Sequence, residues 1–474
     1  MASFGWLHFS DLHQGLDAHG WLWPGVRDVV FADLERLHQR CGPWDLVLFS
    51  GDLTQHGSAP EFSRLNDSLQ QLWDHLLSLG STPSLIATPG NHDLVRPDPR
   101  RPEARLLLDA DSEVQAEFWR EASPYRALVE QAFAPYSEWQ QEHPFNCLPV
   151  QAGLLPGDCS VLLTKEGFNL GVVCLNTSFM QLGDGDYLGR LELDARQFHA
   201  ACGGDGPRWV HSCDFAVLMT HHGPSWLQPR TRDELHSQIA PPGRFVAHLY
   251  GHMHERPGLT VSVGGPSAQR EFQGRSLFGL ETLRDGRTER PFGYAAANIT
   301  VDEYKDATLR LWPRTAKKNG HWRIVQDVDS YVLCDDHGTP PELLPPRRRS
   351  PRLSPRLPPV LGQADAQPGP TPLVAMLTAE QTAKMTPVLP EDLIRELAEL
   401  YPDTRDARAL WERAGGKASD VENIARPRDL WQRLWIHSTQ GATVRPAALL
   451  KAALEDSPHN EVLRRYVESQ ERGS

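Results

Sequence analysis

Five short polar clusters in this 474-residue sequence are rich in residues that bind metal ions. In chain order they are Asp11-Leu12-His13, Gly51-Asp52, Gly90-Asn91-His92-Asp93, His221-His222 and Gly251-His252-Met253-His254. Each cluster supplies oxygen or imidazole nitrogen and none supplies thiolate, a donor set that suits Mn²⁺, Fe²⁺ or Zn²⁺. Ligands separated by one residue lie on the same side of an extended backbone, so Asp11 and His13 can face one ion. The clusters together offer seven candidate ligands, enough for two metal ions.

Short apolar runs precede these clusters and indicate buried strands. The runs are residues 4–9, 45–50, 84–88, 170–175, 215–220 and 245–250, and a helical stretch at residues 26–40 separates the first two. Apolar strands that lead into polar loops are typical of α/β proteins, which bind ligands at the carboxyl ends of their strands. We therefore expect an α/β domain with its site at one edge of a sheet.

The composition divides the chain into three parts. Residues 1–335 form the first predicted domain, with a helical insertion at about residues 96–145. Residues 336–385 combine many prolines with arginines, and such a segment is expected to be an extended linker. Residues 386–474 return to a helical period, with turn signals that divide them into about five short helices. This region is predicted to be a separate helical domain.

Charge and cysteine content narrow the class of protein. The net charge is −13, and residues 1–339 hold 29 basic and 43 acidic side chains. An acidic surface repels polyanions unless a bound metal reverses the local field. The seven scattered cysteines suit reduced thiols, and neither a signal peptide nor an apolar run of membrane length is present. We expect a soluble cytoplasmic protein without a membrane partner.

The order DxH, GD, GNHD, HH and GHxH resembles the calcineurin-like metallophosphoesterase superfamily over about residues 4–315. The resemblance implies an α/β fold of four layers, in which a sandwich of two mixed β-sheets is flanked by helices. It also implies two divalent metal ions, with Mn²⁺ expected first and Fe or Zn as alternatives. The implied roles are Asp11, His13 and His254 on the first metal, Asn91, His221 and His252 on the second, and Asp52 as the bridge.

The same resemblance implies the catalytic residues. His92 would sit beside the metals as the acid that protonates the leaving group or as a phosphate-orienting group, and Asp93 would orient His92. The pair His221-His222 leaves open which imidazole is the ligand, and the resemblance favours His221. Histidines that adjoin the clusters are expected to pack or to support ligands; they are His8, His56 and His222.

The predicted substrate is a phosphodiester. The opening WLHFSDLHQG, residues 6–15, is similar to both the cyclic-nucleotide phosphodiesterase branch and the SbcD-type nuclease branch. A duplex-binding nuclease needs a basic footprint, so the acidic first domain favours nucleotides or other small diesters. Arg100, Arg101 and Arg105 are a local exception, and a DNA or RNA nuclease is the alternative. A non-catalytic scaffold is the second alternative, against which the intact ligand set argues.

The C-terminal region, about residues 388–470, resembles the effector-associated domain of bacterial conflict systems, specifically its first class. The similarity rests on LAELYPDTRDAR at residues 397–408, ALWERAGG at 409–416 and RPRDLWQRLW at 426–435. It implies a small all-α bundle like a death domain, which recruits the hydrolase to a protein partner, including a homotypic one, in antiviral defence. The alternative is an ordinary helical appendage or a dimerisation bundle.

Overall fold

A computed structural model describes most of the chain, and the chain divides into two compact units, Met1–Pro358 and Pro359–Ser474. The described residues are 2–17, 19–108, 112–120, 122–146, 148–252, 269–279, 281–282, 288–289, 292–344, 391–417, 421, 427–439 and 444–472.

The first unit contains all the described strands, in two larger sheets and one short pair. The strands are β1 (Ala2–Phe9), β2 (Leu46–Phe49), β3 (Ser84–Ala87), β4 (Val150–Ala152), β5 (Cys159–Lys165), β6 (Phe168–Cys174), β7 (Phe215–Met219), β8 (Ala247–Tyr250), β9 (Glu271–Gln273), β10 (Glu281–Thr282), β11 (Thr288–Glu289), β12 (Gly293–Val301), β13 (Ala307–Asn319), β14 (His321–Gln326) and β15 (Glu342–Leu344). All six strands predicted from apolar runs are present, as β1, β2, β3, β6, β7 and β8.

Both larger sheets are mixed. The seven-stranded sheet has the order β14-β13-β12-β1-β2-β3, with β15 paired to β13, and the six-stranded sheet runs from β4 to β9 in order. Strands β1 to β3 are parallel to one another, and so are β6 to β9, whereas β12 to β15 pair antiparallel. The carboxyl ends of the parallel strands therefore meet at one edge of each sheet.

Nine α-helices are described in the first unit, together with a 3-10 turn at Pro224–Trp226 and a π-helical turn at Leu235–Ile239. They are α1 (His19–Cys41), α2 (Ala59–Ser78), α3 (Pro102–Leu108), α4 (Ser112–Phe118), α5 (Pro124–Ala132), α6 (Ala134–Glu142), α7 (Ala195–Ala201), α8 (Gly206–Ser212) and α9 (Pro229–Glu234). Helices α3 to α6 lie in the predicted insertion. None of the helices in the described part of the chain is long and apolar enough to cross a membrane.

Alternating side chains of β1 belong to two apolar layers. Phe4 and Trp6 lie in the layer between the sheets, where Phe4 contacts Phe215 of β7 with ring centroids 6.1 Å apart. Leu7 and Phe9 point the other way and pack with side chains of the helices. Because successive side chains of a strand face opposite sides, a strand covered on both faces is apolar throughout. The layers confirm the predicted helix-flanked sandwich.

Helix α2 begins at a capping box that also fixes the loop after β2. The carboxylate of Glu61 accepts hydrogen bonds from the backbone N–H and the hydroxyl of Ser58, at 3.0 and 2.9 Å. It also accepts one from the backbone N–H of His56, at 3.1 Å. Pairing of the N-cap N–H by a glutamate three residues later is one half of a capping box. The loop that carries Asp52 is therefore tied to the start of a helix.

All the regular secondary structure that is described in the second unit is α-helical. Its helices are α10 (Glu391–Leu400), α11 (Thr404–Arg413), α12 (Pro427–Thr439), α13 (Pro446–Asp456) and α14 (Glu461–Arg472). Trp411 and Trp431 are fully buried in its apolar core. Residues 345–385 of the predicted linker lie outside the described residues, whereas residues 336–344 include β15, which pairs with β13. The sheet thus continues past residue 335, the predicted end of the first domain.

Candidate metal centre

The loops after β1 and β2 run side by side and present predicted ligands to one another. The backbone N–H of Asp11 donates to Gly51 O at 2.9 Å, and that of His13 donates to Asp52 O at 3.0 Å. These bonds continue the parallel pairing of the two strands beyond their ends. Asp11, His13 and Asp52 are therefore held by backbone hydrogen bonds between two adjacent loops.

Four predicted ligands have a left-handed backbone conformation. The φ angles are 54° for Asp11, 51° for His13, 54° for Asp52 and 68° for His252. This region is uncommon for residues other than glycine, and it persists only where the surrounding structure enforces it. The turns direct these side chains toward the sheet edge at a cost in backbone energy.

Two glycines of the sequence clusters leave room that the site needs. A Cβ atom on Gly90 would overlap the carboxylate of Asp52, and one on Gly51 would overlap the imidazole of His221. Gly51 also has a φ of 98°, which side chains with a Cβ rarely adopt. The glycines in GD and GNHD are thus required by the close approach of ligand side chains.

Three polar atoms surround one imidazole nitrogen. The Nε2 atom of His221 lies 3.1 Å from Asn91 Oδ1, 3.1 Å from His252 Nδ1 and 3.3 Å from Asp52 Oδ2. A ring nitrogen carries at most one proton, so hydrogen bonding cannot satisfy all three contacts. Ligand atoms at neighbouring corners of an octahedron, ~2.1 Å from a central ion, lie ~3.0 Å apart. The four atoms therefore fit a divalent cation.

A second group shares the carboxylate of Asp52. The Nε2 atom of His13 lies 3.8 Å from Asp52 Oδ2 and 3.9 Å from Asp11 Oδ1. This spacing also suits ligands of one ion, because opposite ligands at ~2.1 Å are separated by ~4.2 Å. His254, the remaining predicted ligand, lies outside the described residues. Asp52 is thus common to both groups, as expected for a bridge.

Charge is balanced within the ligand set. Burial acts to raise the pKa of Asp52, but the imidazoles of His221, His92 and His13 outweigh burial and hold this pKa well below its usual value. Burial opposes protonation of His221, yet the Asp52 carboxylate raises the pKa of His221 to about 9. Without metal, Asp52 and His221 therefore form a buried ion pair. A divalent cation can replace the proton of His221 and keep Asp52 neutralised.

Comparison with known families agrees with this geometry. Residues 6–256 match the family model of calcineurin-like phosphoesterases. The chain belongs to the calcineurin-like phosphoesterase family. This phosphoesterase is therefore a hydrolase of phosphoric esters, and its site holds candidate ligands for divalent metals. Residues 383–470 match effector-associated domain 1, which confirms the second resemblance.

Solved structures resemble the phosphoesterase at low sequence identity. GAP50, the anchor in the inner membrane complex of Plasmodium, is 8% identical, with a TM-score of 0.36 over 69% of this chain and 89% of that chain. Purple acid phosphatase PPD1 from yellow lupin seeds is 13% identical, with a TM-score of 0.36 over 69% of this chain and 55% of that chain. A search of curated proteins finds no match.

His92 lies beside the two ligand groups of the phosphoesterase. Its backbone N–H donates to Asp52 Oδ1 at 2.8 Å, and its Nδ1 atom lies 3.0 Å from the carbonyl oxygen of Gln55. A carbonyl oxygen only accepts, so Nδ1 carries a proton. The nitrogen on the opposite side of the ring, Nε2, stays available, and the ring lies 4.8 Å from that of His13.

Asp93 joins the loops after β2 and β3. Its buried carboxylate accepts hydrogen bonds from the backbone N–H groups of Leu53, Thr54 and Gly90, at 3.1, 2.8 and 2.9 Å, and from the Thr54 hydroxyl at 2.9 Å. Burial and the charge of Asp52 raise its pKa to about 6. The Gln55 carbonyl contacts the His92 ring directly, and orientation of His92 by Asp93 stays a prediction. Asp93 supports the site by fixing the loop after β2 against the loop after β3.

The three other histidines differ in position. The Nε2 atom of His8 lies 2.9 Å from Ser50 Oγ in the core, whereas His56 is exposed. Buried His222 has Nδ1 at 3.1 Å from Thr177 Oγ1, and burial with the neighbouring His252 and His221 lowers its pKa well below the usual value. One nitrogen of His222 lies within 4.8 Å of ligand atoms on His221 and His252. Both members of the pair therefore adjoin the second ligand group.

Two residues that were not predicted from the sequence contact histidines of the site. Trp226 stands perpendicular to the ring of His252, with centroids 4.2 Å apart, and Thr177 holds His222. Neither residue belongs to a polar cluster with ligand spacing. The polar sequence Asn176-Thr177-Ser178, one residue beyond the end of β6, was the available signal for Thr177, and none was available for Trp226.

Proposed function

We propose that this phosphoesterase is a dinuclear metal-dependent phosphodiesterase that acts on nucleotides or other small phosphodiesters. The observation that carries the proposal is the convergence of Asn91, Asp52 and His252 on His221 Nε2, next to a second group that shares Asp52. Two adjacent cation positions are the arrangement that stabilises both the attacking and the leaving oxygen in phosphoryl transfer.

Each ligand has a proposed position. Asp11, His13 and His254 hold the first ion, Asn91, His221 and His252 hold the second, and Asp52 bridges them. The ions, when bound, draw electron density from the phosphoryl oxygens and make water a better nucleophile. The donor set of oxygen and imidazole nitrogen favours Mn²⁺, with Fe or Zn as alternatives. We choose His221 over His222 because its Nε2 atom faces both Asn91 and Asp52.

His92 supplies the proton for the leaving group. Gln55 accepts from Nδ1 and so directs Nε2 away from the protein backbone and toward the phosphoryl group. An imidazolium at this point donates its Nε2 proton to the departing alkoxide, which is general acid catalysis. Besides the backbone bond to Asp52, the His92 ring lies 4.8 Å from the ring of His13, so its side chain stands beside the proposed ions for this step.

Electrostatics support a small substrate. Residues 1–339 hold 43 acidic against 29 basic side chains, whereas duplex binding requires a row of phosphate contacts. The basic residues of the insertion are partly neutralised: Arg101 lies 3.8 Å from Glu103, and Arg96 pairs with Asp184. The metal ions therefore supply the attraction for the substrate phosphate. Nuclease activity is the alternative that the same assay tests.

The second unit, the effector-associated domain, is proposed to recruit the enzyme in the cytoplasm of a bacterium during antiviral defence. Its match to effector-associated domain 1 supports a protein partner, including one with a similar domain. The hydrolase would act where that partner assembles.

A substrate screen tests the activity. Metal-loaded protein is expected to hydrolyse bis(p-nitrophenyl) phosphate and either cyclic nucleotides or linear dinucleotides, and chelation is expected to abolish turnover. Asp52→Ala should lose metal, whereas His92→Ala should keep both ions and lose turnover; exposed His56→Ala is the matched control. Preference for single- or double-stranded DNA would identify the nuclease instead. Full activity after chelation would overturn the proposal.

A further inference from the structure

A cationic cavity lies near the edge of the first sheet, away from the metal centre. Its volume is about 370 Å³, and it is bounded by the C-terminal half of α1, by β13 and β14, and by the turn at residue 337. Strand β14 is one edge strand of the seven-stranded sheet, whereas β1, β2 and β3, which precede ligand loops, lie on the opposite side of that sheet. The charged and titratable residues of its lining are Arg36, Arg40, Arg314, Arg323, His321 and His337.

One carboxylate offsets part of this charge. Asp33 is buried below the cavity, where it accepts from Arg314 Nε and the Tyr294 hydroxyl, both at 2.8 Å, and lies 3.3 Å from Arg36 Nη2. Four guanidinium groups and one carboxylate leave about three positive charges, because arginine stays protonated. No carboxylate lines the cavity among the described residues.

Two of the arginines have no counter-charge of their own. Arg40 and Arg323 form no ion pair within the described ranges. Other arginines of this unit are paired; Arg310, for example, lies 2.7 Å from Asp336. Burial and the charges of Arg40 and Arg314 lower the pKa of His337, although Asp336 and Asp33 act in the opposite direction. The cavity therefore has a positive potential within an otherwise acidic unit.

We propose that this cavity binds a small molecule that carries at least two phosphate groups. Guanidinium groups match phosphate oxygens in bidentate geometry, and about three positive charges require more than a single phosphate monoanion. The volume falls within the ~300–1,000 Å³ of small-molecule sites. Leu37, Ile324 and the half-buried Val325 also line the cavity, so a nucleoside diphosphate meets both charged and apolar residues there.

Direct binding to the full-length protein tests the proposal, which does not rest on phosphodiesterase activity. Pyrophosphate and ADP are titrated calorimetrically into metal-loaded and metal-free protein. We expect a saturable site that persists without metal, with adenosine and inorganic phosphate at least tenfold weaker. The double variant Arg40→Gln with Arg323→Gln should weaken pyrophosphate at least tenfold, and its turnover of bis(p-nitrophenyl) phosphate should remain unchanged.

The matched control is Arg208→Gln with Arg230→Gln, which removes the same charge from exposed positions on α8 and α9. This control should keep the binding affinity for pyrophosphate. Equal affinity of the two double variants would overturn the proposal, because net charge alone would then explain binding. Loss of the saturable site on metal removal would also overturn it, since the ligand would then be on the metal centre.

Discussion

Protons and metal ions compete for the imidazole of His221. Burial opposes its protonation, but Asp52 raises the pKa of His221 to about 9 in the metal-free protein. The imidazole must lose that proton before it can bind a cation. At about pH 7, a competing proton with this pKa weakens metal binding about 100-fold, equivalent to about 3 kcal/mol. Metal affinity should therefore rise about tenfold per pH unit from about pH 7 and level off above about pH 9.

Calorimetric titration of Mn²⁺ into metal-free protein measures this effect. Titrations in two buffers of different ionisation enthalpy give the number of protons released as well as the affinity. His221→Gln removes the titrating group and should flatten the pH dependence, whereas the exposed control His56→Gln should retain it. A constant affinity between about pH 7 and 9, or an equal slope in His221→Gln, would refute the reasoning about the ion pair.

The same pair sets the pH dependence of stability without metal. The raised pKa of His221 gives a contribution that is complete below about 6.5 and is lost as pH rises through about 9. The lowered pKa of Asp52 gives a contribution that is complete above about 3.8 and is lost at lower pH. The contribution of the pair to the free energy of unfolding should therefore be largest between about pH 3.8 and about pH 6.5. Thermal unfolding of metal-free protein at a series of pH values measures this.

Gly90→Ala should lower the metal content while the circular dichroism spectrum stays unchanged, because the added Cβ overlaps the carboxylate of Asp52. Gly25→Ala is the control, since a Cβ at Gly25 meets no other atom. Two bound ions in Gly90→Ala would contradict the steric argument. Leu344→Ala should lower the free energy of unfolding by about 2–5 kcal/mol in urea, since Leu344 is 3% exposed. Leu343→Ala, at 63% exposure, should change it by less than about 0.5 kcal/mol, and equal effects would place β15 outside the core. Limited proteolysis should cut within the proline-rich residues 345–385 and release a first fragment that still turns over bis(p-nitrophenyl) phosphate. Mass spectrometry and turnover check this, and loss of turnover from a folded, metal-loaded fragment would contradict the proposed recruiting role of the second unit.

Six of the parallel strands were predicted from the sequence because each is a short apolar run that ends at a polar stretch, whereas the three-residue β9 was not predicted. The antiparallel strands β12 and β13 were not predicted. Val301 pairs with Ala2 at the far end of the sheet, and no local pattern encodes a partner so distant in sequence. Helix α1 begins at His19, earlier than the predicted residue 26, because its first turns contain glycine and an internal proline that weaken the helical pattern.

Ligand spacing predicted which loops meet at the centre, but it did not reveal the contacts of every residue in them. Two backbone partners of Asp93, the N–H groups of Leu53 and Thr54, lie about 40 residues away in sequence, so these contacts could not be derived from the GNHD cluster. The cationic cavity could not be predicted for the same reason, since Arg36 and His337 lie about 300 residues apart in the sequence. In the sequence, each arginine of the cavity resembles an ordinary surface residue.

The order of the ligands along the chain has a consequence for synthesis on the ribosome. The ligand loops extend from Asp11 to His252, so a growing chain cannot complete the second ligand group until β8 and the following loop have emerged. About 140 residues separate His252 from the first helix of the second unit at Glu391, which corresponds to roughly 7–28 s of translation. A nascent chain would thus acquire the described metal ligands before its second unit exists, so metal binding is expected to precede the proposed recruitment.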